Sequence, residues 1–233
     1  MKSETRTLLT ACLFFLAAAV SSRAAGEGGC EVAVAALTLP DEATGLLHWR
    51  AANEATQPLQ LSTRYFSERV KVPGRVVHFH DKPLQADKPQ EPPPQPLVAV
   101  NLPADSKMIY VILWAEPGEG GATRWKSMLF RSEDWKAGSL KVLNGAVDTV
   151  GIAADEKRLQ VARGKSLDFH ANDFNEAFPV KIFRLKPETK LLFSSKWRIA
   201  ADRRELCFIS GNGDSISLRS LLDLAAIPAN PRQ

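Results

Sequence analysis

The chain has 233 residues, 45% of them hydrophobic and 24% charged, which excludes a disordered, collagen-like or coiled-coil protein for the chain as a whole. Three cysteines are too few for a disulfide scaffold, and 15 prolines with 14 glycines suit a turn-rich β protein better than a helical bundle. The formal net charge of +4 arises from basic residues interleaved with acids, as in Asp155-Glu156-Lys157-Arg158. No basic stripe follows a phosphate backbone, so a nucleic-acid partner is not expected.

Residues 1–24 read as a secretory signal peptide. Lys2 and Arg6 supply the positive start, and Ser22-Arg23-Ala24 offers small residues before a cut at Ala25. The apolar run from Leu8 to Val20 is 13 residues long, short of the roughly 20 that a spanning helix needs. The expectation is a secreted or periplasmic protein with no stable transmembrane segment after cleavage. Losing Lys2, Glu4, Arg6 and Arg23 leaves a net charge of +2.

Beyond the leader, short apolar or alternating runs separated by turn residues predict strands. In chain order they cover 31–37, 45–51, 59–65, 69–72, 75–80, 97–102, 108–115, 125–131, 139–143, 149–153, 159–162, 166–170, 180–185, 190–194, 205–210 and 215–220. Pro73-Gly74, Asn144-Gly145 and Gly211-Asn212-Gly213-Asp214 have the composition of tight turns. Only 174–177 and 221–226 suggest short helices. The prolines between Lys82 and Pro96 cannot donate ladder hydrogen bonds, so that stretch is expected to leave the sheet as a loop.

Two halves of the chain share an order of elements. Ser127–Trp135 lies over Lys190–Trp197, and Val70–His80 over Leu159–His170. This pattern predicts an all-β protein of tandem immunoglobulin-like β-sandwich repeats in two domains. The first domain would span 25–145 with a Pro-rich insertion at 82–96. The second would span 146–226, followed by a tail at 227–233.

Few residues carry chemistry. His78 and His80, two apart on a strand, would place two imidazoles on one face, the start of a metal site that lacks a third ligand. His170 and Asp168 occupy the corresponding place in the second half. Export would permit a disulfide between Cys30 and Cys207, the alternative being two unrelated free thiols. Trp135 and Trp197 read as core anchors, or as platforms for sugar rings if exposed. Asp173/Glu176 and Asp202/Glu205 are carboxylate pairs beside turns or arginines. There is no Gly-x-Ser-x-Gly elbow, no phosphate-cradling loop and no complete calcium loop, so no catalytic residue and no cofactor is expected.

The function expected is therefore non-enzymatic: a binding or assembly module of the periplasm or cell surface, with a protein partner or a cell-envelope glycan. The alternatives are a carbohydrate- or cell-wall-binding module, or a hydrolase with an unrecognised site around His78, His80 or Asp168. With its leader, two sandwiches and basic charge, the chain resembles the periplasmic pilus chaperones in size and architecture. That resemblance implies a subunit partner that donates or accepts a strand. The Pro-rich insertion departs from the family's pattern, and the family's cationic anchoring pair maps onto no residues of this chain.

Overall fold

The structure, a computed structural model, describes residues 29–223 apart from 40–44, 52–54, 86–93, 119, 121, 147 and 175. The expected signal peptide, the C-terminal tail and the middle of the Pro-rich insertion lie outside the described residues. Sixteen strands follow one another: β1 (Cys30–Thr38), β2 (Leu46–Ala51), β3 (Gln57–Gln60), β4 (Val70–Val72), β5 (Val76–His80), β6 (Val98–Asn101), β7 (Met108–Pro117), β8 (Thr123–Arg131), β9 (Ser139–Asn144), β10 (Val150–Ala154), β11 (Lys157–Val161), β12 (Ser166–His170), β13 (Phe178–Arg184), β14 (Lys190–Trp197), β15 (Arg204–Asn212) and β16 (Ser215–Asp223). Each corresponds to an expected strand. Among the described residues the expected helices do not form: residues 221–223 end β16, with 224–226 outside the described residues, and next to 174–177 lies one 3-10 turn, Ala171–Asp173.

The strands make four sheets of four, with neighbours β4-β1-β7-β8, β3-β2-β5-β6, β12-β9-β15-β16 and β11-β10-β13-β14. The second pair of sheets repeats the first strand for strand, eight positions on. Even the exception repeats: β1 runs parallel to β7 and β9 parallel to β15, while all other ladder pairs are antiparallel. The duplication is thus expressed in topology. Its register differs from the expected one: β8 corresponds to β16, not to the Lys190–Trp197 strand, and β5 corresponds to β13. The apparent match of Ser127–Trp135 to Lys190–Trp197 reflects the shared chemistry of amphipathic strands. The boundary expected at 145/146 also falls one strand late, because β9 pairs with β12 and β15 and so belongs to the second sandwich. Nor is the strand order that of an immunoglobulin domain, where the first two strands pair. Here the first strand lies between the fourth and seventh, in the sheet opposite the second.

Asn144-Gly145 is a crossover between sheets and not a hairpin turn. The buried Asn144 side chain donates from Nδ2 to the carbonyls of Asp148 (2.8 Å) and Val161 (2.8 Å) and accepts from the Ala146 amide (2.9 Å). These bonds pin the chain as it passes from one sheet of the second sandwich to the other.

Three cores stack in line. In the first sandwich Val32, Val34 and Ala36 of β1 and Ile109, Val111 and Leu113 of β7 face Trp49, Val77 and Phe79 of the opposite sheet. In the second, Val142, Cys207 and Ile209 face Ile152, Val180 and Ile182. The alternate residues of β1 and β7, Ala33, Ala35, Tyr110 and Ile112, form a third core with Leu143, Leu206 and Leu221. The inner sheets of the two sandwiches therefore pack on each other, and the molecule is four sheets deep. This accounts for the unbroken apolar sequences Val32–Leu37 and Met108–Trp114: a strand buried on both faces has no polar alternate.

The third core is aromatic at one end. Tyr110 meets Phe66 and Trp135 edge to face, each with ring centroids 4.9 Å apart. Phe66 arrives on the connection between β3 and β4, which runs beside the edge of β16. The Leu222 amide donates to the Arg64 carbonyl (2.9 Å) and the Phe66 amide to the Leu222 carbonyl (3.1 Å). Phe66→Ala should therefore destabilise the whole chain by about 3–5 kcal/mol, read as a shift of the urea midpoint. A loss below about 1 kcal/mol would show that the aromatic end does not hold the two sandwiches together.

Candidate functional site

At one end of the seam between the sandwiches the inner sheets part into a groove of about 420 Å³. Its first wall is made where β1 ends against β7, which runs on to Pro117. The parallel register slips between Ala36 and Thr38, and the Thr38 hydroxyl then donates to the Ala115 carbonyl (3.1 Å) and accepts from the Ala115 amide (3.2 Å). Trp114 follows the buried run Ile109–Leu113 and is itself half-buried. Its indole Nε1 donates to Glu116 (2.8 Å), whose other carboxylate oxygen pairs with Lys126 Nζ (2.5 Å), the residue directly across the ladder from Trp114. The bonds from Lys126 and then Trp114 hold the Glu116 carboxyl below the usual carboxylate range. The indole is thereby fixed in position.

The second wall comes from the other sandwich. Phe208 of β15 lies across the ladder from Arg219 of β16. A side chain at Gly145 would place its Cβ 2.1 Å from the Phe208 ring, so glycine is required there for the ring to lie against the backbone. Arg163 and Gly164, between β11 and β12, complete the rim. The floor is thus Trp114, Met128 and Phe208; the rim carries Arg163, Arg219 and the Lys126–Glu116 pair. An apolar, aromatic floor with a few polar groups at an interface between domains is the form of a small-ligand site.

A larger concavity, about 900 Å³, opens at one end of the second sandwich between the connections 171–177 and 198–203. It contains Glu176 and Glu205 with Arg198 and Arg203, and burial raises the Glu205 carboxyl against the opposing effects of Ser220 and Arg203. One member of each expected carboxylate pair is therefore here. The others do not line it: Asp173 pairs with Lys157 (2.9 Å), and Asp202 pairs with Arg203 at its edge (3.3 Å).

The remaining expected residues fall as follows. Cys30 sits in the core of the first sandwich and Cys207 in that of the second, so the expected disulfide is not formed and both are free thiols. Trp135 is 1% exposed in the shared core and is no platform; Trp197 is half-buried against the second core and lies outside the seam groove. Asp168 pairs with Lys141 (2.8 Å), its cross-strand neighbour, while His170 is exposed at the 3-10 turn. They do not form a site. His78 and His80 do share the outer face of their sheet, with ring centroids 6.3 Å apart. His48 of β2 lies directly opposite His80 and is the third imidazole that the sequence reading did not supply. Its signal was the alternation of Leu47 and Trp49 around it. Among the described residues, no three His, Cys, Asp or Glu side chains are placed to hold a metal ion, and no helix is long and apolar enough to cross a membrane.

The chain matches no family model and no curated protein sequence. Among solved structures it is similar to one described as "Alpha-glucan binding by a streptococcal virulence factor", at 14% identity over 80% of this chain and 95% of that chain, with a TM-score of 0.28. A likeness at that identity and score carries no functional argument.

Burial raises the Cys30 thiol and pushes the Cys207 thiol up to about 12. In the folded protein at pH 8 neither should react with iodoacetamide over an hour, and both should react fully in 6 M guanidinium, as mapped by peptide mass spectrometry. A Cys30–Cys207 disulfide peptide in the unreduced sample would contradict the separation of the two cores.

Proposed function

We propose that the protein is an exported, non-enzymatic binding module that holds a segment of cell-envelope glycan in the groove between its two sandwiches. The observation that carries this reading is Trp114: a half-buried indole, locked by Glu116 and Lys126, at the floor of a groove whose opposite wall belongs to the other sandwich. A fixed aromatic face offers a sugar ring apolar contact at little entropic cost, and Arg163, Arg219 and the Thr38 hydroxyl offer hydrogen bonds to its hydroxyls. The walls are strands of both inner sheets, so the site is preorganised. The larger cleft, walled by two connections, lacks that support.

A protein partner is the second reading, and β14 favours it. This eight-residue strand has a single ladder neighbour and presents Leu191 at 49% exposure, the form of an edge that accepts a partner strand.

Glycan binding in the groove predicts quenching of tryptophan fluorescence by one or more of a panel of envelope polysaccharides. Trp114→Ala should weaken that binding at least tenfold, while Trp197→Phe leaves it within twofold. Quenching that survives Trp114→Ala moves the site elsewhere. No response across the panel, with capture of one envelope protein that is lost in Leu191→Lys, would favour strand addition on β14.

A further inference from the structure

The outer face of the sheet β3-β2-β5-β6 carries a cluster that the groove does not use. On β2 the residues between the core positions Leu47, Trp49 and Ala51 are His48 and Arg50; on β5 those beside Val77 and Phe79 are His78 and His80. The ladder sets His48 opposite His80 and Arg50 opposite His78. Directly opposed side chains on one face have Cβ atoms about 4.5–5.5 Å apart. Three imidazoles and a guanidinium therefore form one block.

The block has cationic and donor groups and little to receive them. Arg50 Nε, His78 Nδ1 and His80 Nε2 are buried and without a hydrogen-bond partner, and His80 is 2% exposed. Among the described residues Arg50 makes no ion pair. The neighbouring strands bring no acid: Pro58 of β3 faces His48, and Ala99 of β6 faces His78. Burial first, and then Arg50, His78 and His48, hold the His80 imidazole below its ordinary value, while Asp81, exposed after β5, opposes them. Lys82 next to it adds a further cation. The chain then turns back against the sheet at Leu84, whose amide donates to the Thr56 hydroxyl (2.8 Å) while the Thr56 amide donates to the Leu84 carbonyl (3.2 Å).

A buried guanidinium donor and buried imidazole nitrogens without partners are costly unless a ligand satisfies them, and each imidazole nitrogen can be a donor. We propose that His48, Arg50, His78 and His80 form a binding site for a phosphate group. Arg50 supplies the fixed charge, and the imidazoles donate hydrogen bonds when protonated. A bound phosphate anion among them opposes the electrostatic cost of protonating His80, so phosphate binding and imidazole protonation strengthen each other. The site is separate from the seam groove in residues and in sheet, and stands whether or not a glycan binds there.

The test uses the folded chain with inorganic phosphate as probe and sodium chloride at equal ionic strength as reference, followed by calorimetric titration and thermal melting at pH 6 and pH 8. Glycerol 3-phosphate serves as the monoester arm. Saturable phosphate binding is expected at both pH values. Arg50→Gln and His48→Gln should each weaken it tenfold or more, and Lys71→Gln, an exposed lysine of β4, should leave it unchanged. Because Arg50→Gln risks the fold, the half-exposed His48→Gln gives the independent reading. Binding of both probes assigns the site to phosphate esters, and binding of inorganic phosphate alone assigns it to the free ion. No saturable heat beyond chloride, or equal binding in wild type and His48→Gln, overturns the proposal.

Discussion

The arrangement depends on burying β1 and β7 on both faces. Each inner sheet has one face in its own sandwich and the other against its duplicate. Within that shared layer lies a polar group that apolar packing alone would not tolerate. Asp223, 1% exposed, accepts from the Tyr110 hydroxyl and from Arg204 Nη1 (3.1 Å), while Arg204 Nη1 also donates to the Tyr110 oxygen (3.1 Å) and its Nε donates to the Trp135 carbonyl. Burial and the bond to Asp223 raise the Tyr110 hydroxyl well above its ordinary value, so it stays a donor across the physiological range. The three side chains come from β7, β15 and β16, two of them in one sandwich and one in the other. A buried network of this kind adds less to stability than its contacts suggest, because desolvation opposes it, but it fixes which rotation of one sheet on the other is allowed. The shape of the groove at the far end of the seam follows from that fixed rotation.

Duplication of a scaffold leaves its surfaces free to diverge. The outward positions of β2 and β5 hold His48, Arg50, His78 and His80; the corresponding positions of β10 and β13 include Gly151, Ala153 and Phe183. A Cβ at Gly151 would lie 2.7 Å from Leu185, so in the second sandwich an apolar side chain covers the sheet where the first presents imidazoles and a guanidinium. The inner layers cannot diverge so far, since each residue there has neighbours on two sides. The second outer face still carries exposed cations, Lys181 and Arg158 beside Ala153, so the two halves differ in the imidazoles and the apolar cover and not in being charged or uncharged.

The strands were legible because alternation and turn residues act locally, and a period of two survives any change in what the sheet packs against. The stacking was not read, although Val32–Leu37 and Met108–Trp114 carry its signature in lacking any polar alternate. The register of the duplication was also misjudged: sequence similarity between amphipathic strands reports their environment, whereas correspondence is decided by pairing partners. Cys30 and Cys207 show the same limit. Both occupy apolar strands, but only the stack reveals that an entire layer of two sheets separates their cores. Of the candidate cluster, His78 and His80 were visible by their spacing. His48 and Arg50 were not, because they join it only through the antiparallel register of β2 with β5.

The groove was illegible for a related reason. Trp114, Arg163 and the Phe208–Arg219 pair come from distant parts of the chain, and only Phe208 and Arg219 are joined locally, by the β15–β16 hairpin. What brings them together is the parallel pair in each inner sheet. β1 ends at Thr38, opposite Trp114, and β9 at Asn144, opposite Ile209, while β7 and β15 each run three residues further, so both inner sheets lose a strand at the same end of the seam. Side chains just past that level lose their partner sheet while keeping their own backbone rigid. Trp114 is the clearest case: the residue before it is fully buried, the next but one is a carboxylate, and its indole nitrogen reaches that carboxylate and not solvent. Aromatic surface held open at the end of a packed seam is a direct consequence of losing one strand from each inner sheet at the same end, and it is the feature a ligand would meet.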